Sequence, residues 1–370
     1  MNRAAVLYAL ISAALFGVST PAAKVLVGAV DPIVLAGLLY CGAGIGVAVL
    51  RRVLPHIVSH APEAGLTRKE LPWLAGAIAA GGAVGPLLLM IGLARTDAAS
   101  ASLLLTLEGA TTALMAWFIF RENFDRRIAI GMVFIVTGAM VLAWTGTPTL
   151  ADILGPLAIV GACVAWGLDN NLTRKVSLAD PLQIVELKGL LAGPFNLVLG
   201  LAAGAALPGI TPAFFAGVVG FLGYGVSLAL FVVALRHLGA ARTGAYFSTA
   251  PFLGSAAAVV ALGDPVTLQL AAAGMLMAVG VWLHLTEHHE HEHLHEAMSH
   301  THPHVHDEHH RHAHGPHDPP GEPHTHLHEH APMWHTHSHM PDMHHTHRHD
   351  QWRWLRRLKG GKIRWYSHRT

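Results

Sequence analysis

The sequence predicts an all-α polytopic membrane protein: ten transmembrane helices as two inverted five-helix repeats, followed by a disordered C-terminal tail. Hydrophobic residues make up 52% of the 370-residue chain, and charged residues make up 13%, about half the share typical of soluble domains. Ten apolar stretches are each long enough to cross a bilayer core of roughly 30 Å. Beyond residue 285 the composition changes, because 26 of the 30 histidines lie there. These figures exclude an ordinary soluble enzyme, a fully disordered protein and a nucleic-acid binder.

The ten spans are rich in Ala, Gly, Leu and Val, which suits close helix packing in lipid. The first span is too long for the apolar part of a typical signal peptide, so we interpret it as a retained helix. The spans lie at approximately 4–24, 33–50, 71–94, 98–120, 128–145, 152–170, 181–206, 213–235, 241–262 and 266–285.

Positive charges predict the orientation of the bundle. If the N-terminus is cytoplasmic, the outer loops carry only Lys24 and Arg95, and the inner loops carry twelve Lys and Arg residues. Such an excess is typical of cytoplasmic loops. Since the number of spans is even, both termini are expected in the cytoplasm, with the protein in a bacterial inner (plasma) membrane. The twelve residues are Arg3, Arg51, Arg52, Arg68, Lys69, Arg121, Arg126, Arg127, Arg174, Lys175, Arg236 and Arg242.

Two segments of the first half recur about 150 positions later. The segment FGVST at 16–20, followed by Asp31-Pro32, matches WGLDN at 166–170, followed by Asp180-Pro181. The end of span four, RENF, resembles the end of span nine, GDPV. Because each unit has an odd number of spans, the second unit enters the membrane from the opposite face, as in secondary transporters with a site between the halves. The predicted domains are a first repeat at 1–145, a second at 152–285, the His-rich tail at 286–350 and a basic aromatic segment at 351–370.

Residues 1–285 resemble the drug/metabolite transporter superfamily, and within it the EamA-like ten-helix permeases. The resemblance rests on Phe16-Gly17 and Trp166-Gly167, and on the acidic segment FRENF at 120–124 with its weaker echo LGDPV at 262–266. It implies that the first four helices of each half enclose a cavity and that the fifth is peripheral. The family often has Pro in the middle of span four, where this chain has Glu108-Gly109. The resemblance therefore predicts the transport fold and leaves the substrate open.

Charged residues inside the spans are the first candidates for a substrate or coupling pathway. Glu108 lies about ten residues from either end of span four, where a lone carboxylate costs roughly 2.5–3.5 kcal/mol. We interpret it as a proton-coupling or cation-binding group; a protonated Glu held by a neighbouring helix is the structural alternative. Glu186 and Lys188, one turn inside span seven, do not face each other at this spacing. Residues 169–171 are interpreted as the interfacial end of span six.

Four further residues complete the predicted pathway. Ser19, Thr20 and Pro21 are expected to interrupt span one, because a proline removes a backbone hydrogen bond and can expose carbonyl groups to a cavity. Tyr246 is a candidate cavity wall, with core packing as the alternative. Trp166 belongs to the aromatic-Gly motif, although its position near a span end also suits an interfacial anchor.

The tail is predicted to bind metal. Neutral imidazole is a ligand for Zn, Ni, Co and Cu, and histidines at i and i+2 of an extended chain project to the same side. We expect many overlapping sites that lose metal below about pH 6; a polar spacer is the alternative. The predicted ligands are His291, His293, His295, His324, His326, His328, His330, His335, His337 and His339. The basic segment WRWLRRLK at 352–359 is expected to lie on anionic lipid headgroups rather than on nucleic acid.

The sequence favours a non-enzymatic secondary transporter, an exporter of a small solute or metabolite, with a metal-binding cytoplasmic tail and no required cofactor. It contains no GxxxxGK[ST] nucleotide loop and no recognisable Ser/His/Asp set. Two alternatives stay open: a divalent metal exporter fed by the tail, and a membrane metal sensor or buffer that does not transport. The spans hold no His pair, Cys motif or Asp cluster, which counts against metal as the substrate. Substrate, direction, coupling ion and a homodimeric state are left open.

Overall fold

The structure is a computed structural model. It describes residues 3–57, 65–119, 126–144, 150–176 and 179–286, and in the tail residues 290–295, 298–304, 324–330 and 333–338. The acidic segment of span four, the predicted ligand His339 and the basic aromatic segment lie outside the described residues.

Helices follow the predicted spans through the described part of residues 3–286. The α-helices are α1 (Arg3–Val27), α2 (Pro32–Ile57), α3 (Leu71–Ala77), α4 (Gly85–Leu93), α5 (Ala98–Leu104), α6 (Leu107–Phe118), α7 (Arg126–Ala143), α8 (Leu150–Arg174), α9 (Pro181–Ala202), α10 (Ile210–Gly220), α11 (Ser227–Phe247), α12 (Ala250–Leu262) and α13 (Leu268–Leu285). Two π-helical segments, Ile78–Val84 and Phe221–Val226, connect α3 to α4 and α10 to α11.

The prediction of an all-α polytopic membrane protein is confirmed. Within the described ranges, seven helical stretches are long and apolar enough to cross a membrane. Three shorter apolar helices, α7, α12 and α13, stand where the sequence predicts spans five, nine and ten. Large apolar side chains such as Phe214 on α10, Val260 on α12 and Leu268 on α13 are exposed, as expected of surfaces that face lipid.

The repeated Asp-Pro pairs start equivalent helices in the two halves. Oδ1 of Asp31 accepts a hydrogen bond from the Ile33 backbone N–H, and Oδ1 of Asp180 accepts one from the Leu182 backbone N–H, both at 2.9 Å. The following proline lacks an N–H that would otherwise be unpaired in the first turn. The repeated Asp-Pro pair therefore has the same local role in both halves, which is to cap the start of spans two and seven.

Spans three, four, eight and nine are interrupted at matching positions. The π-helical segments lie in spans three and eight. Span four breaks between Leu104 and Leu107, and span nine breaks between Phe247 and Ala250. The π-helical segment and the break of the second half each lie 143 positions after their counterparts in the first half. Interrupted helices at corresponding positions of two halves are the best pointer to a binding site in transporters built from inverted repeats.

Two details differ from the sequence-based expectations. Helix α1 continues without interruption through Pro21, because one proline removes only a single backbone hydrogen bond and membrane helices tolerate this. Helix α11 runs across the loop predicted near residues 236–240 and ends at Phe247. No proline lies between Pro212 and Pro251 to end that helix earlier.

The helix contacts that join the two halves follow the repeat, so that span one contacts span nine as span six contacts span four. Helix α2 lies along α9, α1 contacts α12, and α8 contacts α6. Glycine allows close approaches of these helices, since a Cβ on Gly189 would lie 2.3 Å from the Cα of Gly44, and a Cβ on Gly17 would lie 2.3 Å from the Ala250 carbonyl oxygen. Helices α7 and α13 pack mainly against each other, as the resemblance implies for peripheral fifth helices.

Several hydrogen bonds and ion pairs connect the ends of different helices. In each case a ten-span topology places both ends on the same side of the membrane. On the predicted outer side, Lys24 at the end of α1 donates to the carbonyl oxygen of Thr96 at 2.7 Å. Asp264, which follows α12, accepts a hydrogen bond from the Ala99 backbone N–H at the start of α5, at 2.9 Å.

The predicted cytoplasmic side shows the same agreement. Arg51 near the end of α2 pairs with Asp180 at the start of α9, at 2.9 Å. Arg127 at the start of α7 donates to the carbonyl oxygen of Thr286 at the end of α13, at 2.6 Å. The helix-end contacts are therefore consistent with ten alternating spans.

The described part of the tail contains four strands: β1 (Glu290–His295), β2 (Met298–His304), β3 (His324–His330) and β4 (Met333–Ser338). Strand β1 pairs antiparallel with β4, and β2 pairs antiparallel with β3. The composition of the tail predicts no regular structure there. The structure differs at these residues because His-x-His alternation has the two-residue period of a β-strand.

Candidate functional site

A buried ion pair joins helices α8 and α9. Lys188 Nζ donates to Oδ1 of Asp169 at 2.6 Å and to Oγ1 of Thr173 at 3.0 Å, and the Thr173 hydroxyl donates to the same carboxylate oxygen at 2.8 Å. Only 5% of Lys188 and 7% of Asp169 are exposed. Removing two charges from water costs several kcal/mol per ion, and direct pairing with additional hydrogen bonds offsets that cost. The three side chains form a hydrogen-bonded charged group inside the bundle.

The π-helical segment of span three lies directly against this group. A Cβ on Gly81 would lie 1.9 Å from Oδ2 of Asp169, so only glycine fits at this position. The Gly81 carbonyl oxygen accepts hydrogen bonds from the Tyr40 hydroxyl at 2.7 Å and from Nε1 of Trp166 at 2.9 Å. A π-helical turn changes the α-helical pairing of backbone carbonyls, and here side chains from spans two and six bond to one of them.

Glu108 lies in the first turn of α6, directly after the break in span four. Its Oε1 accepts a hydrogen bond from Nδ2 of Asn170 at 2.9 Å, and Nδ2 also donates to Oγ1 of Thr112 at 3.2 Å. Asn170 is exposed and Glu108 is half-buried. Both residues lie on membrane-spanning helices, where polar groups that face lipid are costly. Their exposure therefore indicates an opening that water or a solute can enter.

Aromatic rings from both halves meet beside the ion pair. Phe16 contacts Trp166 edge-to-face with ring centres 6.1 Å apart, so the aromatic residues of the two repeated motifs touch each other. Phe16 also contacts Tyr224 at 5.9 Å and Phe247 at 5.3 Å, and Tyr224 contacts Tyr40 at 5.6 Å. These five rings come from α1, α2, α8, α11 and the π-helical segment of span eight. They provide an apolar wall near the polar group.

Several buried polar atoms have no hydrogen-bond partner among the described residues, including the Tyr224 hydroxyl in the π-helical segment of span eight and two atoms near the interruptions of spans three and four. One is Oδ1 of Asn196, whose Nδ2 donates to the Gly82 carbonyl oxygen in the π-helical segment at 3.0 Å. The other is Oγ1 of Thr106, which lies in the break of span four. Buried polar atoms normally have a partner, so these positions suit contact with water or solute.

A second ionic group joins α2 to α9 near the predicted cytoplasmic ends of spans two and seven. Glu186 accepts from Nη1 of Arg51 at 3.0 Å and pairs with Arg52 at 3.5 Å, while Nε of Arg51 donates to Asp180 at 2.9 Å. Glu186 therefore bonds to α2, while Lys188 bonds to α8, as the spacing of the two residues predicts. The group connects the same two helices that pack most extensively between the halves.

The structure places the other predicted pathway residues as follows. Ser19 is buried, and its hydroxyl donates to the Phe16 carbonyl oxygen at 2.6 Å; Thr20 is also buried. Trp166 is only 6% exposed, so its position suits the interior and not an interfacial anchor. Tyr246 is half-buried at the break of span nine, where its carbonyl oxygen accepts from the Thr249 hydroxyl at 2.6 Å.

The residues that partner the charged groups were not predicted from the sequence. Asp169 and Asn170 are interpreted there as the interfacial end of span six, but they bond to Lys188 and Glu108. One signal was available: a lysine inside a span needs an acidic or carbonyl partner, and Asp169 lies in the repeated WGLDN segment. The proximity of α8 to α9 was not available from spacing.

Comparisons with known proteins identify the family. The sequence profile of the EamA-like transporter family matches residues 3–144 and again residues 153–286. The chain belongs to this family. An uncharacterized transporter of Methanothermobacter thermautotrophicus is 28% identical over 284 residues, covering 72% of this chain and 82% of the relative. The uncharacterized transporter YyaM of Bacillus subtilis is 23% identical over 210 residues, covering 52% of this chain and 66% of the relative.

A solved crystal structure supports the fold of this EamA-like transporter. It superimposes with a TM-score of 0.58 at 19% sequence identity, covering 77% of this chain and 99% of the other. Family membership confirms the predicted relation to the drug/metabolite transporter superfamily. The protein is therefore a multi-pass integral membrane transporter.

Proposed function

We propose that this EamA-like transporter is a secondary transporter that exports a small organic solute by alternating access, with Glu108 as its proton- or cation-binding group. The observation that carries the proposal is the position of Glu108. It lies at the break of span four, and the equivalent break in span nine lies 143 positions later. Its partner Asn170 is adjacent in sequence to the buried pair of Asp169 with Lys188.

The charge balance of the site supports a role for Glu108 in coupling. Lys188 and Asp169 neutralise each other, and the described residues show no ion pair for Glu108. An ionised Glu108 leaves the site with one surplus negative charge in a region of low dielectric. A proton or a cationic solute that binds at Glu108 neutralises that charge. The affinity for either then differs between the inward-facing and the outward-facing orientation of the site.

The aromatic wall favours an organic solute over a bare ion. Phe16, Tyr224 and Phe247 form ring contacts across the halves beside the polar group. Binding sites for small molecules combine mostly apolar walls with a few polar groups that fix orientation. The ion pairs of Arg51 with Asp180 and Glu186 hold the predicted cytoplasmic ends of α2 and α9 together. Opening that side for solute entry requires these pairs to separate.

Proton movement in proteoliposomes tests the proposal. Vesicles that contain the full chain and a trapped pH-sensitive dye receive succinate, choline, alanine or Zn(II), each alone, under an imposed pH gradient. We expect one organic solute to produce a dye response that Glu108→Gln abolishes, since glutamine keeps an acceptor for Asn170 but has no titrating group. The control Glu70→Gln changes a carboxylate at the start of α3 that bonds to Thr67, and it keeps the response. A response that survives in Glu108→Gln contradicts the role of Glu108.

We further propose that the His-rich tail binds Zn, Ni, Co or Cu on the cytoplasmic side. Its imidazole groups are ligands for these ions. The basic aromatic segment beyond it is proposed to rest on anionic headgroups of the same leaflet.

A divalent metal exporter is the second candidate, and the tail is the feature that favours it. Within the described residues, no group of three or more His, Cys, Asp or Glu side chains is placed to hold a metal ion. Elemental analysis of cells compares the full chain, a truncation after Thr286 and Glu108→Gln at equal membrane abundance. Metal export is supported if the full chain lowers the cellular content of Ni, Co, Zn or Cu and Glu108→Gln restores that content. A metal buffer is supported if the cellular metal content rises only when the tail is present and the vesicles show no solute response.

A further inference from the structure

Residues that the sequence repeat relates to each other differ in exposure between the two halves. Asn170, on the predicted cytoplasmic half of span six, is exposed, whereas its counterpart Thr20, on the outer half of span one, is only 1% exposed. Thr249 in the break of span nine is half-buried, whereas Thr106, 143 positions earlier in the break of span four, is only 5% exposed. The opening beside Asn170 is therefore on the predicted cytoplasmic side, and the matching region on the outer side is closed.

The outer side is closed where spans one, four and nine meet. Helix α12 packs against both α5 and α1. Spans four and nine diverge towards the predicted cytoplasmic side, where no comparable packing of α6 against α11 is found in the part of the chain that the structure describes. A Cβ on Gly254 of α12 would lie 2.6 Å from the Gly17 carbonyl oxygen and 2.9 Å from Oγ of Ser102. These two oxygen atoms therefore border the same point on the surface of α12.

The closed region buries polar groups that lack hydrogen-bond partners. Ser102 is 1% exposed, Thr106 is 5% exposed, and neither hydroxyl has a partner among the residues that the structure describes. A spacing of four positions puts both on one face of span four, since Leu105 and Thr106 keep helical backbone angles. The Gly17 carbonyl oxygen has no helical N–H to accept from, because Pro21 stands four residues later. Buried polar groups normally have partners, so closure of this region costs free energy.

The break in the second half shows that this cost is avoidable. The hydroxyl of Thr249, the repeat counterpart of Thr106, donates to the Tyr246 carbonyl oxygen at 2.6 Å. The backbone N–H of Thr106 donates to the corresponding Leu103 carbonyl oxygen at 3.0 Å, but the Thr106 hydroxyl does not bond to it. The Thr106 hydroxyl also forms no cap hydrogen bond at the start of α6. It therefore stabilises neither the break nor the helix that follows.

We infer that the Ser102 and Thr106 hydroxyls and the Gly17 carbonyl group form a polar binding site on the outer half of the transport path, which is closed in this structure. Opening of the outer side gives these groups water or solute as partners, so the hydroxyls favour the outward-open state. Hydroxyl and carbonyl oxygens accept hydrogen bonds from ammonium and hydroxyl groups, which are the solute groups that the site suits. The inference rests on the alternating access proposed above and names residues of its outer half.

The absence of charge in these three groups suits a position on the exit side. Hydrogen bonds to an ionised partner are roughly twice as strong as those between neutral groups. A hydroxyl group of the solute is therefore held less tightly by Ser102 and Thr106 than by the Glu108 carboxylate. A solute that leaves Glu108 when that residue is protonated then passes through a weaker site before release.

Removal of both hydroxyls tests the inference. In the full chain, with both native cysteines replaced by alanine, Ala258→Cys reports on the outer closure, since Ala258 is fully buried one turn beyond Gly254 on α12. Thr20→Cys is a second reporter, on span one. A membrane-impermeant maleimide is applied from outside to intact cells that express each parent or its variant Ser102→Ala with Thr106→Val. We expect the double variant to be labelled about tenfold more slowly, because its closed state no longer buries unpaired hydroxyls.

The unfolding temperature separates this role from a structural one. Loss of unpaired buried hydroxyls removes no bond, so we expect the double variant to unfold at the temperature of its parent or above. Thr249→Val is the matched control, because it removes a hydroxyl that is bonded within span nine. We expect it to lower the unfolding temperature and to leave the labelling rate unchanged. Thr106→Ser retains the hydroxyl and is expected to keep the labelling rate of its parent.

Three results overturn the inference. One is equal labelling of the double variant and its parent, and another is the absence of outside labelling of the parent at both reporters. The third is an unfolding temperature of the double variant that falls as far as that of Thr249→Val, because the two hydroxyls then stabilise the fold.

The labelling needs no solute, so it is independent of the transport measurement in vesicles. A solute response that survives in Glu108→Gln, together with slower labelling of the double variant, contradicts only the role of Glu108. A response that Glu108→Gln abolishes, together with unchanged labelling of the double variant, contradicts only the polar site on the outer half.

Discussion

The pair of Lys188 with Asp169 shows how a single contact determines the chemistry of this bundle. Either charge alone in a lipid-spanning helix costs several kcal/mol. Together, and with Thr173 bonded to both, they form a fixed polar group that packs against Gly81. The group orients Asn170, the next residue along α8, towards Glu108. The site therefore depends on this ion pair being intact.

Removing one partner of the pair leaves an uncompensated buried charge. Lys188→Met is expected to destabilise the protein by on the order of 3–5 kcal/mol, and the double variant Lys188→Met with Asp169→Asn recovers most of that loss. The measurement is the thermal unfolding midpoint of each variant in the same detergent. If the single and double variants unfold at the same temperature, the two charges do not stabilise each other. A double variant that is stable but shows no solute response assigns the pair a role in transport as well as in stability.

At the scale of elements, the sequence predicted the spans well and the interruptions poorly. Apolar length located the helices, and the Asp31-Pro32 and Asp180-Pro181 pairs marked two starts because capping is a local property. The predicted interruption at Pro21 did not occur. Pro86 and Pro251 do stand directly after the π-helical segment of span three and the break of span nine, whereas the interruptions of spans four and eight contain no proline. Those features depend on side chains from other helices, such as Tyr40 and Trp166, which bond to the Gly81 carbonyl oxygen.

Two glycines test the packing of the π-helical segment. Gly81→Ala places a methyl group 1.9 Å from the Asp169 carboxylate oxygen, so we expect a lower unfolding temperature and loss of the solute response. Gly109→Ala is the matched control: it lies in helix α6 with no neighbouring atom within 4 Å, and we expect stabilisation of about 0.4–1 kcal/mol. Thermal unfolding of the two variants checks both. Equal effects of the two substitutions contradict the close approach of the π-helical segment to Asp169.

The ends of α2 and α9 are held by ion pairs that contribute little to stability. Arg51 is 37% exposed, so Arg51→Gln is expected to change the stability by about 1 kcal/mol or less. We expect faster labelling of Asn170→Cys by a membrane-impermeant maleimide applied from the cytoplasmic face, because opening this end no longer breaks ion pairs. The experiment uses Cys41→Ala with Cys163→Ala as background. Arg52→Gln is the control, since Arg52 is 71% exposed and pairs only at 3.5 Å. Unchanged labelling in Arg51→Gln contradicts a closing role for these pairs.

At the scale of the whole molecule, the two halves form one bundle because helices of each half pack against helices of the other. Span one packs on span nine, span six packs on span four, and spans two and seven lie together. Phe16 and Trp166, related by the sequence repeat, touch each other where the halves meet. A site between halves related in this way can be exposed to either side by rocking one half against the other. That mechanism requires the alternating orientation of the spans to be correct.

Labelling from one side of the membrane tests that orientation directly. In the same cysteine-free background, Arg95→Cys and Leu207→Cys are predicted outside, and Arg68→Cys and Lys175→Cys are predicted inside, because the positive-inside bias places their loops there. All four positions are exposed in the structure. An impermeant maleimide applied to intact cells is expected to label only the first two, and lysis exposes the others. Labelling of the opposite pair in intact cells reverses the orientation and moves the His-rich tail outside. Mixed labelling within a pair contradicts the ten-span topology itself, because Arg95 and Leu207 follow spans three and seven of opposite halves.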